Sequence, residues 1–379
     1  MHNILVITND LKMGGIQKSV INFLKYLVFR GFDIDLLIWE NGILRNEIPI
    51  EVNVIMMAYP ITWKKVKEEK GLLKKIKFFT KYVRFKYYAT VRMKPWLYFP
   101  KTKNHYDVAV SYSQEGYPRF YAIDKISADK KYLWYHHGNY IQTNKTYSLD
   151  KEYYHKFANI ITVSPANKKM LMNHFLNYGK KIIIVPNIVN VEEVLFKSKQ
   201  PVFDLQKRVD ELTFVTVSRF SKIKGLDLSI DVATELRNQG FKFKWYFIGE
   251  GATFEEIKNI VYQRNIADVC ILLGNKLNPY PYMALADLYI QTSYVESQSI
   301  TVLEALVLKK LIVTTDLPAL REVLQNGKLG MLCKPEVNSF VEKISILLHN
   351  ETVRNKIIEA VEQHSVSNEE AYKAINELF

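Results

Sequence analysis

The chain opens with a short apolar run, Asn3 to Thr8, followed by Gly14-Gly15 and by apolar positions at helical spacing from Gln17 to Phe29. A second apolar run, Phe32 to Trp39, follows Gly31. Asp107 to Ser111, Lys131 to Tyr135, Ile160 to Val163 and Ile182 to Val185 repeat the theme, and Pro186-Asn187 ends the last of them. Short apolar runs that alternate with helices predict a parallel sheet covered on both faces. After a polar stretch, Asn190 to Asp210, the pattern restarts. Leu212 to Val217 reads as a strand, Gly225 to Gln239 as a helix, and Trp245 to Ile248 as a strand ending at Gly249-Glu250-Gly251. Val269 to Leu273, Leu288 to Gln291 and Leu311 to Thr314 are further strands, and Asn338 to Phe379 is helical. Thr253, with Glu256 three residues on, reads as a capping box. The expected class is α/β, with two Rossmann-like, doubly wound domains. The first covers 1–190, a linker 191–210, the second 211–360, and a terminal helix 361–379 is free to pack back on the first.

Composition narrows this. With 379 residues, 48% hydrophobic and 24% charged, the chain suits two globular cores and excludes disorder. Cys270 and Cys333 lie in apolar runs with no Cys or His at metal-ligand spacing. No disulfide framework and no zinc site is expected, and a reducing compartment is. No uncharged apolar run reaches the roughly 18 residues of a membrane helix. The start at Met1 has no basic region or cleavage pattern, and reads as the first strand of a mature cytoplasmic protein.

Charge is concentrated. Thr62 to Lys103 holds twelve Lys and two Arg against Glu68 and Glu69, so +12 of the chain's net +13 sits there. Ten aromatics share the segment, from Trp63 to Phe99. Leu72, Ile76, Phe79, Val83 and Tyr87 fall on one helical face, and Phe78, Tyr82 and Phe85 form an offset group. Lys74, Lys75, Lys77, Lys81, Arg84, Phe78, Tyr82 and Phe85 are the residues expected to meet an anionic membrane surface. A helix with a solvated basic face is the plainer alternative. Nucleic acid is not expected as a partner, since no recognition motif appears.

Four clusters carry candidate chemistry. In Ser218-Arg219-Phe220-Ser221-Lys222-Ile223-Lys224-Gly225 a strand ends, two separated cations follow and a helix begins, an arrangement suited to a diphosphate. Glu296-Ser297-Gln298-Ser299-Ile300-Thr301-Val302-Leu303-Glu304 places one carboxylate in a loop and another inside the helix that follows. Both can face one ligand, with backbone N–H groups of the helix start toward an anion. A capped surface helix with Glu304 in a salt bridge fits the same residues. Gly14-Gly15 lets backbone approach a phosphate or forms a plain turn. Either His of Trp134-Tyr135-His136-His137-Gly138 can bond a sugar hydroxyl or move a proton. Asp33-Ile34-Asp35 lies inside a strand and is read as structural. No G-x-G-x-x-G follows either leading strand, which disfavours NAD.

Together these residues resemble retaining family 4 glycosyltransferases of the GT-B fold, in which two such domains face a central cleft. The bacterial enzymes of capsule and exopolysaccharide assembly are the nearest likeness. The carriers are Arg219, Lys224-Gly225, Gly249-Glu250-Gly251, Asn278-Pro279-Tyr280-Pro281, Ala286-Asp287-Leu288, and Glu296 with Glu304. Gly14-Gly15, Val163-Ser164 and Val185-Pro186-Asn187 support it in the first half. The resemblance implies catalytic roles for Glu296, Arg219, Lys224 and His137, Arg219 and Lys224 holding the donor diphosphate. It implies Glu304 on the ribose, Ser299 and Ile300 at the anion, Leu273 and Gly274 near the base, and Gly15 and Gly249 in the donor site. The implied donor is a nucleotide sugar, with a UDP-sugar expected and no metal. With this activity, the Thr62 to Lys103 segment predicts a lipid-linked glycan acceptor at the inner face of the cell membrane. Departures are Gln17 for a frequent Glu, Ser218 for Gly, Gln298-Ser299 for Phe-Gly, and Ile188 for Gly. A nucleotide-sugar 2-epimerase and a non-catalytic nucleotide-sugar-binding subunit remain as rival readings; turnover by the purified chain separates them.

Overall fold

The computed structural model describes residues 2–205 and 207–379. Met1 and Gln206, which fall within the expected first domain and linker, lie outside the described residues. In the first half, β1 (Asn3–Ile7), β2 (Asp33–Ile38), β3 (Asn53–Met56), β4 (His105–Ser111), β5 (Ser127–Tyr135), β6 (Asn159–Thr162) and β7 (Ile182–Ile184) form one sheet. Its order is β3-β2-β1-β4-β5-β6-β7, and every pairing is parallel. In the second half, β8 (Leu212–Val217), β9 (Phe243–Ile248), β10 (Cys270–Gly274), β11 (Leu288–Gln291), β12 (Leu311–Thr315) and β13 (Met331–Cys333) form another. Its order is β10-β9-β8-β11-β12-β13, again parallel.

Burial explains the apolar runs. Ile4 to Ile7 of β1 are wholly inaccessible because side chains on both faces meet packed helices. In each sheet the strand order reverses beside the leading strand, at β1/β4 and at β8/β11. Such a reversal leaves a crevice beyond the strand ends, where ligands of open α/β sheets bind.

Several expectations need correction. The linker stretch contains a helix, Val191–Lys197, started by the Asn190 side chain, whose Oδ1 accepts the Glu193 N–H at 3.0 Å. Thr253 makes no side-chain cap; its N–H instead donates to the Phe220 carbonyl at 3.2 Å. Strands β3 and β13 and the helix Tyr280–Leu285 were not legible. The region from 338 onward is three helices, Val337–His349, Glu351–Gln363 and Glu369–Leu378. The last buries Ala371, Ile375 and Leu378 in the first sheet's core, with Tyr372 stacked on Tyr26 at 4.2 Å between ring centres.

Candidate active site

The ends of β1, β4, β8 and β11 converge on a cleft of about 650 Å³, lined from both halves of the chain. From the second sheet, Arg219 and Lys224 follow β8, and the loop from Val295 to Ser299 follows β11. Lys224 Nζ stands 2.6 Å from Glu296 Oε1. The same oxygen accepts from Gln291 Nε2 at 2.7 Å. Gln291 Oε1 in turn accepts from the hydroxyls of Ser299 and Thr301, each at 3.1 Å. Glu296 is thereby fixed by an ion pair and a buried amide, and Ser299 Oγ accepts from the Val302 N–H to start the helix Ile300–Val307.

From the first sheet come the Gly14-Gly15 turn, Lys18, Glu115 and His137. Arg219 leans across the cleft onto that turn: a β-carbon at Gly14 would meet its Nη2 at 2.7 Å. His137 Nε2 lies 3.0 Å from Glu115 Oε1. This bond, with the nearby positive charge of Arg219, holds the Glu115 carboxyl below the usual range against the opposing effect of burial. The neighbouring His136 is pushed down to about 3 by burial and is neutral.

The two halves touch directly beside the cleft. A β-carbon at Gly138 would fall 2.2 Å from the Glu296 carbonyl oxygen, so only glycine permits this approach. Ser164 Oγ donates to the Ser297 carbonyl at 2.6 Å. Gln298 Oε1 accepts the Asn187 N–H at 2.7 Å, which gives this departure from Phe-Gly a definite task.

Of the residues expected from sequence, Gly15, His137, Arg219, Lys224, Gly249, Glu296, Ser299 and Ile300 line the cleft. Leu273 and Gly274 do not; the next two residues, Asn275 and Lys276, do. Glu304 sits behind the wall, its side chain 3% exposed, with Tyr280 donating to its Oε1 at 2.8 Å. Glu115, Lys18 and Gln291 went unrecognised. Gln291 carried a signal, a polar residue closing an apolar strand at the sheet's switch point. The Asp35 carboxylate is occupied by Tyr106 and Asn53, each at 2.7 Å.

The basic segment forms the helices Trp63–Glu68 and Leu72–Lys86. Lys74, Lys75, Lys77, Lys81 and Arg84 are exposed. Phe78, Tyr82 and Phe85 are only half-exposed; Tyr82 lies against Trp63 and Phe85 against Tyr98. The apolar stripe that reaches solvent is instead Leu72, Leu73, Ile76, Phe79, Val83 and Tyr87. No helix among the described residues is long and apolar enough to cross a membrane.

Comparison with known proteins places this architecture. Residues 198–364 match the family described as glycosyl transferases group 1. An uncharacterised glycosyltransferase of Methanocaldococcus jannaschii is 26% identical over 242 residues, 58% of this chain and 60% of that one. The N-acetylgalactosamine-N,N'-diacetylbacillosaminyl-diphospho-undecaprenol 4-alpha-N-acetylgalactosaminyltransferase of Campylobacter jejuni is 26% identical over 203 residues, 53% of each chain. The matches thus span little more than half of these relatives. Staphylococcus aureus TarM, crystallised with Fondaparinux, alpha-GlcNAc-glycerol and UDP, superposes with a TM-score of 0.72 at 14% identity, covering 100% of this chain and 99% of that one. The fold is GT-B.

Proposed function

We propose that this chain, of GT-B fold and similar over residues 198–364 to glycosyl transferases group 1, is a glycosyltransferase that moves a sugar from a nucleotide diphosphate to a lipid-linked saccharide with retention at the anomeric carbon. The observation that carries the reading is the meeting of Arg219 and the Lys224–Glu296 pair at the crevice of the second sheet, facing His137 and Glu115 of the first. Two cations there match a diphosphate, Arg219 as a planar fork and Lys224 as a point charge. UDP bound to the structurally similar TarM supports a UDP-sugar as donor.

In the reaction the bond between the anomeric carbon and the diphosphate oxygen breaks, and the acceptor oxygen bonds to the same face of that carbon. The acceptor's proton passes to the departing phosphate oxygen. Arg219 and Lys224 stabilise the charge that grows on the leaving group, the dominant catalytic contribution in such a site. Glu296, held by Lys224 and Gln291, faces the transferred sugar. Glu304 takes the ribose, and the contacts of Gly138 and Gln298 join the two halves beside the cleft.

The acceptor's lipid is read from the helix Leu72–Lys86, whose exposed apolar stripe is flanked by lysines as an anionic membrane surface requires. The Campylobacter relative, named for a diphospho-undecaprenol substrate, is consistent with that class. Time-resolved NMR of the purified chain with UDP-, GDP- and other nucleotide sugars, with and without bacterial lipid extract, tests the reading. Nucleotide release from one donor, increased by lipid, is expected. Conversion to an isomeric nucleotide sugar would make it an epimerase, and saturable binding without turnover in every lipid extract would make it an accessory subunit.

A further inference from the structure

Glu304 is a carboxylate buried in the second half, and its nearest cation comes from the first. Lys18, in the first turn of the helix Gly15–Phe29, reaches Glu304 Oε1 at 3.4 Å and the Tyr280 hydroxyl at 3.3 Å. Its ammonium also stands 4.7 Å from the centre of the Tyr280 ring. Tyr280 donates to the same Oε1 at 2.8 Å. Burial and the adjacent carboxylate push the Tyr280 hydroxyl well above its ordinary range, so it remains a donor. Both protein partners therefore sit on Oε1. Oε2 is buried and has no hydrogen-bond partner among the described residues.

An ionised carboxylate accepts through both oxygens, and leaving one buried without a partner is costly. Glu304 shares the helix Ile300–Val307 with Ile300 and Thr301, which line the cleft together with Lys18. A ligand hydroxyl entering there completes the site. Without Lys18, Tyr280 would be the one side chain among the described residues left bonded to the Glu304 carboxylate.

We propose that Lys18 is a positioning residue for the donor nucleoside: its ammonium, set on Oε1, holds Glu304 turned so that Oε2 accepts from the ribose hydroxyls. This rests on the reading of Glu304 as the ribose ligand. Its consequence is that the ribose is gripped only when the first half lies against the second, because the cation and the carboxylate belong to opposite walls. An ammonium has three donors, and two are directed at Glu304 and Tyr280.

The test is calorimetric titration of the whole chain with UDP and with 2′,3′-dideoxy-UDP. Lys18→Met is expected to weaken UDP binding by roughly tenfold or more, the scale of one hydrogen bond to a charged group. Binding of the dideoxy analogue should change by less than about threefold, since it has no hydroxyl for Glu304 to accept. Lys18→Arg should recover most of the UDP affinity. A Lys18→Met variant that weakens both ligands equally, or neither, overturns the proposal, because a merely structural lysine would not single out the hydroxyls. Glu304→Ala serves as the separate control. If it binds UDP as the wild type does, the ribose assignment of Glu304 itself fails, and the role of Lys18 fails with it.

Discussion

On the wall built by the second sheet, Lys224, Glu296, Gln291, Ser299 and Thr301 form one run of short contacts between neighbouring loops. On the wall built by the first sheet, the turn that carries Glu115 to His137 is held by a buried ion pair. Arg119 Nε donates to Asp150 Oδ1 at 2.8 Å, 31 residues along the chain, and its Nη1 donates to the carbonyls of Gln114 and Gly116. Both members of that pair are buried, with side chains 9% and 2% exposed. Glu115 lies between the two anchored carbonyls. The second wall is therefore a set of charges and amides bonded among neighbouring segments, whereas the charges of the first tie together segments far apart in the chain.

That difference predicts opposite consequences for removing a cation. The largest effect should come from Arg119→Met, which leaves Asp150 buried with only tyrosine hydroxyls for partners. Breaking a buried pair in this way costs about 3–5 kcal/mol. In a chain of this size that is a fall in Tm on the order of 10 °C, read by calorimetry. A wild-type Tm in this variant would erase the distinction between the walls.

Next comes Lys224→Ala. Its side chain is 23% exposed, and it pairs with Glu296. Turnover should fall by about 10²–10³, the scale of removing a preorganised donor from a developing anion. The Tm should stay within about 2 °C of wild type, as for a substitution away from the core. Near-normal turnover would strip Lys224 of its assigned role. A collapse in Tm would instead show that the second wall, too, is structural.

A smaller effect is expected outside the cleft. Lys74→Ala with Lys81→Ala should weaken flotation with phosphatidylglycerol vesicles roughly thirtyfold at low salt, since each lysine near an anionic surface contributes about 1 kcal/mol. UDP binding should not change. Unchanged flotation would remove these lysines from the membrane contact and leave the helix Leu72–Lys86 as a solvated face.

The same contrast explains what could be read from sequence. Arg219, Lys224, Glu296 and Ser299 were legible because their partners lie on loops of one sheet that the chain visits in a recognisable motif. Lys18 and Glu304 are 286 positions apart, and Arg119 and Asp150 lie on two different helices, Pro118–Lys125 and Asn144–Tyr154, without a motif; nothing local marks such pairs. Strand positions followed from buried apolar runs, whereas β3, a half-exposed edge of four residues, went unrecognised although Val54 to Ala58 is such a run. The helices Leu72–Lys86 and Glu369–Leu378 make the point most sharply. Both carry an apolar face at helical spacing, yet Ile375 is buried against the first core and Ile76 is 53% exposed. Periodicity fixes which side is apolar; the partner for it comes from tertiary contacts. It also placed Phe78, Tyr82 and Phe85 outward, where Tyr82 in fact lies against Trp63, Phe85 against Tyr98, and Phe78 is partly covered.

The smallest predicted effect separates the halves by pH. His136 in the first half is 8% exposed, its ring lies 4.9 Å from that of Tyr112, and its Nε2 has no partner among the described residues. Burial lowers it to about 3, whereas an unfolded histidine titrates near about 6.5. Between these values the unfolded chain takes up a proton that the folded one refuses. Stability is therefore unaffected by this group above about pH 6.5 and falls below it, by at most about 1.4 kcal/mol per pH unit. In the second half His364 is lowered in the same direction, chiefly by burial, but it is only partly covered and adds less. The Tm of the wild type should thus decline between pH 7 and pH 5, and His136→Asn should flatten most of that slope. An equal slope in the variant would mean that His136 takes up its proton in the folded chain, and that the loop over it opens at little cost.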